Sequence, residues 1–241
     1  MTKKIFIATI LSLVLISCHD EEIVPFESNG CLIDYNFDDQ TGMPCAVHSQ
    51  SCDPTEVDGE FYLIEAARKF LPQSCLNIGS KIFYENAKGD HIGFKITLKD
   101  HVLTRSSYLS NPPCVNMPDY CFRSERYQLE MISDNDLYHL AIRIEVFVRG
   151  SPSNWIQRDG MNIRDLNLPD KGTVFYLSLY NLPPADNDYF PIYEVLSKTF
   201  NDVYTIDPPT SEEDAIKIFY NSDYGMIAFI DGKGDTWRII I

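Results

Sequence analysis

Basic residues are few in this chain, and so are long apolar runs. The longest apolar run spans residues 5–15, whereas a membrane-spanning helix needs about 20 apolar residues. Lysine and arginine together number 20 against 35 aspartate and glutamate residues, which gives a formal net charge of −15 at pH 7. An acidic chain without a clustered basic patch repels phosphate backbones, so we expect no nucleic-acid partner.

Recognisable catalytic motifs are also lacking. The patterns G-x-S-x-G, H-E-x-x-H and S-x-x-K do not occur, and the histidines that follow His19 stand in no triad setting. A glycosidase needs two facing carboxylates, but among 35 acidic residues some pair always stands close enough. We therefore predict no catalytic residue and no cofactor.

The N-terminal segment resembles the signal of a bacterial lipoprotein. Lys3 and Lys4 precede the apolar run, and Leu15-Ile16-Ser17-Cys18 is similar to a lipobox, in which the cysteine becomes the lipidated N terminus. The alternatives are an ordinary secretory peptide or a membrane helix. We predict a signal peptide over residues 1–17, a lipid-anchored tether over residues 18–30 and a single domain over residues 31–241, with the membrane as a partner.

The remaining cysteines are even in number, which favours disulfide bonds in an exported protein. Of the seven cysteines, Cys18 is assigned to the anchor. Cys45 with Cys52, and Cys114 with Cys121, share one spacing inside proline-containing loops, so we favour these two closures. Cys31 is then left to pair with Cys75, although the sequence leaves the connectivity open.

Period-two alternation of apolar residues predicts an all-β domain, mainly an antiparallel meander closed as a sandwich or barrel. The spacing over residues 60–71 predicts one short helix that ends at Pro72. Hairpins are predicted for residues 81–98, 127–148 and 216–241, and further strands for residues 174–179, 192–196 and 203–206. Residues 109–121 and 149–172 are predicted to be long loops.

Two stretches resemble small uncharacterised lipoproteins of the Bacteroidota. Residues 79–97, GSKIFYENAKGDHIGFKIT, are similar to a G-x-K-x-x-F-x-N-x-x-G-D-x-I-x-F pattern. Residues 200–204 and 218–229, followed by Gly234 and Trp237, resemble the end of those proteins. The acidic residues after Cys18 are similar to signals that direct such lipoproteins to the cell surface. The resemblance implies an antiparallel β domain and location at the outer membrane, and it carries no catalytic residue.

Three groups of residues are weighed as ligand sites. Cys45-x-x-His48-x-x-x-Cys52 has a spacing that zinc could use, but an oxidising compartment favours a disulfide. Asp34-x-Asn36-x-Asp38 lacks the glycine and glutamate of a calcium loop, so a polar turn is expected, and we predict no metal. Trp155, in the predicted loop 149–172, is the one aromatic residue that we select as a ligand contact, against the alternative of packing.

The sequence thus predicts a lipid-anchored protein of the outer membrane or cell surface that binds a glycan or protein, or has a structural role, without catalysis. This prediction rests on the lipid anchor, on the absence of catalytic motifs and on the two predicted loops. A carboxylate-based, glycan-directed envelope hydrolase is the alternative.

Overall fold

The described residues of this computed structural model are 23–27, 32–39, 59–108, 120–149, 154–168, 173–179, 188–205 and 216–241. Strands dominate these ranges. In chain order they are β1 Asp38–Asp39, β2 Glu60–Phe61, β3 Lys81–Asn86, β4 His91–Tyr108, β5 Tyr120–Ser133, β6 His139–Arg149, β7 Ile156–Asp165, β8 Thr173–Ser178, β9 Asp188–Val195, β10 Lys198–Thr205, β11 Lys217–Asn221, β12 Gly225–Ile230 and β13 Thr236–Ile239. Helix α1 covers Glu65–Arg68, and a 3₁₀ helix covers Pro72–Cys75.

Eleven strands form one antiparallel sheet in the order β8-β7-β6-β5-β4-β3-β13-β12-β11-β10-β9. The sheet curls into a half-barrel, which brings β8 close to β11 although they are not neighbours in the sheet. The rings of Phe175 in β8 and Tyr220 in β11 meet there, with centroids 5.9 Å apart. The predicted all-β, antiparallel fold is confirmed.

The hairpin of β5 and β6 follows the alternation of the sequence. Leu140, Ile142 and Ile144 of β6 are fully buried, while Arg143 and Glu145, which alternate with Ile142 and Ile144, are only partly covered. Leu129 lies opposite Ile142 in β5, and Met131 lies opposite Leu140. A strand with one buried face and one wetter face produces this alternation, and the predicted hairpin is confirmed.

The prediction of a loop over residues 149–172 is wrong, because β7 lies in this range and pairs with β6 over its whole length. The many polar residues of β7 and its Gly160 weaken the sequence signal for a strand. Gly160 is needed where it stands, because a Cβ atom would lie 2.8 Å from the ring of Phe147 and 3.0 Å from the hydroxyl oxygen of Tyr176. Aromatic side chains packed over a strand glycine replace the contacts that the glycine lacks.

The predicted helix over residues 60–71 is present but much shorter. Glu60 and Phe61 form β2, and only four residues are α-helical. The helix begins late because carboxylates from elsewhere bind the amides before it: Leu63 N donates to Glu125 at 3.0 Å, and Ile64 N donates to Asp159 at 2.7 Å. Long-range hydrogen bonds therefore override the local helical pattern.

Strands β4 and β5 extend beyond their neighbours and pair with each other as far as Tyr108 and Tyr120. Strand β3 pairs with β4 only up to Lys95, and β6 pairs with β5 only from Arg126. The vacant edges are covered by the short parallel strands β1, beside Val102, and β2, beside Arg123. This pairing places the segments 32–39 and 59–76 against the extended ends of β4 and β5.

Two glycines with positive φ provide a test of the packing around the 3₁₀ helix. Gly225 has φ +76°, and a Cβ atom there would lie 1.9 Å from the amide nitrogen of the buried Gln73. Gly234 has φ +83°, and a Cβ atom there would have no neighbouring atom within 4 Å. We expect Gly234→Ala to lower the free energy of unfolding by about 1–2 kcal/mol through backbone strain. Gly225→Ala should lower the free energy of unfolding by about 1–3 kcal/mol more than Gly234→Ala does, because the new Cβ atom would overpack against Gln73. Urea denaturation measures both, and equal losses would contradict the close contact with Gln73.

Candidate functional site

A cavity of about 410 Å³ lies where the segment 32–39 and the 3₁₀ helix cover the extended parts of β4 and β5. We call it the His101 cavity. Its polar wall consists of Asp34, Asn36, Ser74, Lys99, His101 and Tyr127. His101 and Tyr127 are directly opposite each other in the pairing of β4 with β5, so their side chains share one face of the sheet. Small-molecule sites are concave and of comparable volume.

The buried carboxylate of Glu125 holds the wall of the His101 cavity in place. Its side chain is fully buried, and one oxygen lies 2.5 Å from Nη2 of Arg68, which is itself only 1% exposed. The same oxygen accepts a hydrogen bond from Leu63 N at 3.0 Å. A buried ion pair compensates for its desolvation only when its remaining donors and acceptors are also bonded, and this pair has such partners on both sides.

Arg68 connects this ion pair to the segment 32–39. Its guanidinium donates to the carbonyl oxygen of Asp34 at 2.6 Å and to that of Leu63 at 3.3 Å. It also lies over the ring of Tyr35, 4.0 Å from the ring centroid. The backbone N–H of Ile33 donates to Arg68 O at 3.1 Å. One side chain thus fixes the segment that closes the cavity.

The second oxygen of Glu125 orients His101. Nε2 of His101 lies 2.8 Å from this oxygen. A carboxylate paired with Arg68 accepts hydrogen bonds, so Nε2 carries a proton that it donates to Glu125. The ring is further held by edge contacts with Phe37 and Tyr127, at centroid distances of 5.6 and 5.3 Å.

Nδ1 of His101 is a buried atom without a hydrogen-bond partner in the described part of the chain. It lies 3.5 Å from Oδ1 of Asp34, and the His101 side chain is 10% exposed. Oδ1 of Asp34 already accepts the backbone N–H of Asn36 at 3.0 Å. Both ring nitrogens of His101 therefore lie close to a carboxylate oxygen, Glu125 at Nε2 and Asp34 at Nδ1.

The hydroxyl of Tyr127 is the second buried polar group of the cavity. Tyr127 is 5% exposed, and its hydroxyl oxygen has no hydrogen-bond partner among the described residues. Burial raises the pKa of the Tyr127 hydroxyl, and the charge of Asp34 raises that pKa further. The hydroxyl therefore keeps its proton and can donate a hydrogen bond.

Lys99 adds a positive charge to the wall, opposite in sign to Asp34. Its Nζ donates to Leu76 O at 3.1 Å, and the side chain is half-buried. An ammonium group has three donors, so this contact leaves it further donor capacity. The described wall thus combines the positive charge of Lys99 with the negative charge of Asp34, and includes the Tyr127 hydroxyl, which can donate and accept.

A second buried carboxylate, Asp159 in β7, lies on the other side of α1. It accepts Ile64 N at 2.7 Å and Nε2 of Gln157 at 2.9 Å. Burial raises the pKa of the Asp159 carboxyl, while those two hydrogen bonds lower it in part. Asp159 and Glu125 do not line the His101 cavity, and both oxygens of each are engaged.

Trp155, the predicted ligand contact, lies just before β7 in an aromatic cluster. Its ring is half-buried and meets Phe61 and Phe122 edge-on, at centroid distances of 5.7 and 5.8 Å. Trp155 is not part of the His101 cavity. Packing therefore accounts for its position, and its role in ligand binding stays a prediction.

The cysteine predictions fall mostly outside the described residues. Cys75 is disulfide-bonded and contributes to the wall of the His101 cavity. Cys121 lies in β5, and its pairing stays a prediction. The predicted lipidation site and the other candidate cysteines lie outside the described ranges: Cys18, Cys31, Cys45, Cys52 and Cys114.

The acidic turn at Asp231 serves the fold. Oδ1 of Asp231 accepts the backbone N–H groups of Lys233 and Asp235, and Oδ2 accepts Nε1 of Trp237 at 3.0 Å. Across the described ranges, no group of three or more histidine, cysteine, aspartate or glutamate side chains is arranged to hold a metal ion. The Cys45–His48–Cys52 motif lies outside those ranges.

The sequence interpretation missed Arg68, Glu125, His101 and Tyr127 as a group. One signal was available: Tyr127, Leu129 and Met131 form an alternating face, and Glu125 continues that face in the same register. A carboxylate on a buried strand face requires a partner. The partner itself, 57 positions away at Arg68, was not visible from spacing.

A comparison of the chain with protein-family models, curated proteins and solved structures found no match.

Proposed function

We propose that this chain is a lipid-anchored protein of the outer membrane, exposed at the cell surface, that binds a small ligand in the His101 cavity without catalysis. The observation that carries the binding role is the pair of buried polar atoms, His101 Nδ1 and Tyr127 Oη, that lack partners among the described residues. Buried polar groups in native proteins are nearly always hydrogen-bonded to protein, to ordered water or to a ligand, and this pair beside the cavity supports a bound molecule there.

The anchor rests on the sequence of residues 1–18. The basic start, the apolar run and the lipobox-like residues before Cys18 support lipidation. Among the described residues, no helix has the length and apolar character needed to cross a membrane. Two or three acyl chains on Cys18 would give durable attachment, because each buried CH₂ contributes about 0.8 kcal/mol.

Disulfide pairing of Cys31 with Cys75 is part of this proposal. Cys31 directly precedes Leu32, and Leu32 and Cys75 both line the cavity. Such a bond would tie the segment 32–39 to the 3₁₀ helix beside the ligand. The closures Cys45–Cys52 and Cys114–Cys121 are proposed from their shared spacing alone.

The hydrolase alternative has less support. It needs two carboxylates facing a substrate, and the two buried carboxylates near the site, Glu125 and Asp159, are bound to Arg68, His101, Gln157 and backbone amides. Because neither carboxylate lines the cavity, they have no direct access to a molecule bound there.

Replacing the lipidated cysteine tests the anchor. We expect Cys18→Ala to abolish incorporation of radiolabelled palmitate and to release the protein from the membrane fraction, because the acylated atom is removed. Ser17→Ala is the matched control, since it keeps a small residue before Cys18 and should leave labelling unchanged. Labelling that persists in Cys18→Ala, or an unchanged distribution between fractions, would contradict lipidation.

A thermal-unfolding screen tests the binding role. The full chain, extracted in a detergent without a sugar headgroup, is heated with members of three classes: neutral saccharides, carboxylates and amines. At a concentration of 100 Kd, a ligand of the folded state stabilises it by about 2.7 kcal/mol. We expect at least one class of compound to raise the midpoint temperature of unfolding. The Tyr127→Phe variant should show a smaller increase.

The stability of the ligand-free variants separates a binding role from a structural one. Tyr127→Phe removes an unbonded buried hydroxyl, so we expect it to leave the free energy of unfolding unchanged or higher. Tyr84→Phe is the control, because the Tyr84 hydroxyl donates to Met226 O at 2.8 Å, and its loss should cost about 1 kcal/mol. If no class raises the midpoint, or if Tyr127→Phe responds like the wild type, the His101 cavity is not the binding site.

A further inference from the structure

We propose that an acidic polysaccharide binds to the face of β6, β7 and β8 that points away from the core. Its carboxylates pair with the arginines of β7, and a sugar ring packs on an aromatic pair from β6 and β8. We call this surface the arginine face, and it consists of Arg143, Phe147, Arg158, Arg164 and Tyr176. These residues do not line the His101 cavity, so the inference goes beyond the proposed function.

The strand register brings these residues onto one surface. Arg143 lies opposite Asn162 in the pairing of β6 with β7, and Asn162 lies opposite Tyr176 in the pairing of β7 with β8. Phe147 lies opposite Arg158. Residues directly opposite each other share one face of the sheet, and positions two apart on a strand share it too. The core-forming residues that alternate with them point to the other face.

The two arginines of β7 stand at the two ends of this surface. Arg158 and Arg164 are six positions apart, which at about 3.3 Å per residue separates their backbones by about 20 Å. The positions between them on the same face are Gly160 and Asn162, which carry no charge. One small anion does not bridge this span, whereas a chain-like ligand with spaced charges does.

The carboxylates on this side of the sheet have partners, whereas the arginines of β7 do not. The partners are Asn162 for Glu145 at 3.1 Å, Arg126 for Asp100 at 3.2 Å, and Gln128 for Glu130 at 2.6 Å. Arg158 and Arg164 are exposed, and neither forms a hydrogen bond or ion pair with any described residue. The unpaired charges of this face are therefore positive, although the chain carries a net charge of −15. Charge complementarity selects an anionic ligand.

Arg143 adds a guanidinium that is held in place. Its Nε and Nη2 donate to Oε1 of Gln128 at 3.0 and 2.7 Å, which leaves further N–H donors for a ligand. Burial lowers the pKa of Arg143, the charge of Glu145 opposes this shift, and the charges of Arg126 and Arg164 lower that pKa further. These guanidinium groups therefore lie close enough to repel one another. A carboxylate, which arginine binds in a bidentate geometry, relieves that repulsion.

The aromatic pair gives the arginine face an apolar surface. Phe147 is 37% exposed and Tyr176 is 42% exposed, and their ring centroids are 6.4 Å apart. Both side chains lie over Gly160, where a Cβ atom would collide with them. Exposed aromatic rings offer a large and rigid apolar contact area, and the C–H face of a sugar ring packs on such a surface. A ligand that combines sugar rings with carboxylates matches both features.

A nucleic acid matches this surface less well. It carries a phosphate at every nucleotide, whereas the unpaired arginines are separated by uncharged residues and by the carboxylate of Glu145. The net negative charge of the chain also repels a dense polyanion. A polyuronate carries at most one carboxylate per sugar, so its charges are spaced, and it is the ligand that the arginine face favours.

The test is a calorimetric titration of the full chain, extracted in a sugar-free detergent, at low salt. The probes are oligogalacturonate, oligomannuronate and hyaluronan oligosaccharides, each compared with its methyl ester, which keeps the sugar rings but removes the carboxylate charges. We expect at least one acidic probe to bind and its ester to lose about tenfold or more in affinity. Added salt should weaken the binding, because exposed charge pairs are screened.

Charge variants locate the binding surface. Arg158→Gln and Arg164→Gln should each weaken binding about three- to fivefold, as expected for one exposed charge pair, and the double variant should lose about tenfold. Lys198→Gln is the matched control, because it removes one exposed positive charge from β10, outside the arginine face. Its affinity should equal that of the wild type. The unfolding midpoint should stay unchanged in each variant, because exposed surface residues are replaced.

The variant Tyr127→Phe separates this inference from the proposed function. It should leave polyuronate binding unchanged, because Tyr127 lies in the His101 cavity. A weakened affinity in Tyr127→Phe would overturn the assignment to the arginine face.

The remaining outcomes each reject a stated part of the inference. No binding of any acidic probe, or equal binding of acid and ester, overturns it and leaves the proposed function of the His101 cavity in place. Equal losses in Arg164→Gln and Lys198→Gln reveal a general charge effect and overturn the location. A single-stranded oligonucleotide that binds more tightly than every acidic saccharide, and depends on Arg164, overturns the saccharide class.

Discussion

The buried carboxylate of Glu125 is the constraint on which the candidate site depends. One of its oxygens binds Arg68 and the amide of Leu63, and the other binds His101. A carboxylate without these partners would not tolerate full burial. The position of the segment 32–39, the start of α1 and the orientation of His101 therefore have one electrostatic origin. Loss of either charge would leave the other buried and uncompensated, which typically costs about 3–5 kcal/mol.

The sheet supplies the place for this network. Strands β4 and β5 continue past the residues that pair with β3 and β6, so one end of this hairpin extends beyond the neighbouring strands. The segment 32–39, α1 and the 3₁₀ helix pack against this extended end. The cavity lies between these segments and the strands. The rigid part of the fold carries His101, Tyr127 and Lys99, while the covering segments contribute Asp34 and Asn36.

The sequence predicts well what depends on local pattern. Alternation in residues 127–148 is sufficient to place the β5–β6 hairpin, because one face is buried and the other is wetter. Prediction from the sequence fails for β7, where most residues of IQRDGMNIRD are polar and the covering aromatics, Phe147 and Tyr176, come from neighbouring strands. It also overextends α1, because the acceptors for Leu63 N and Ile64 N lie in β5 and β7. The site combines Asp34, Arg68, His101 and Tyr127 through tertiary contacts, which spacing along the chain does not encode.

The protonation pattern of His101 tests the role of Glu125 most directly. Nitrogen-15 NMR of the histidine-labelled protein at neutral pH distinguishes the protonated ring nitrogen from the unprotonated one. The account predicts that Nε2 of His101 is protonated and hydrogen-bonded to Glu125. An unprotonated Nε2 would contradict it, because Glu125 would then not orient His101.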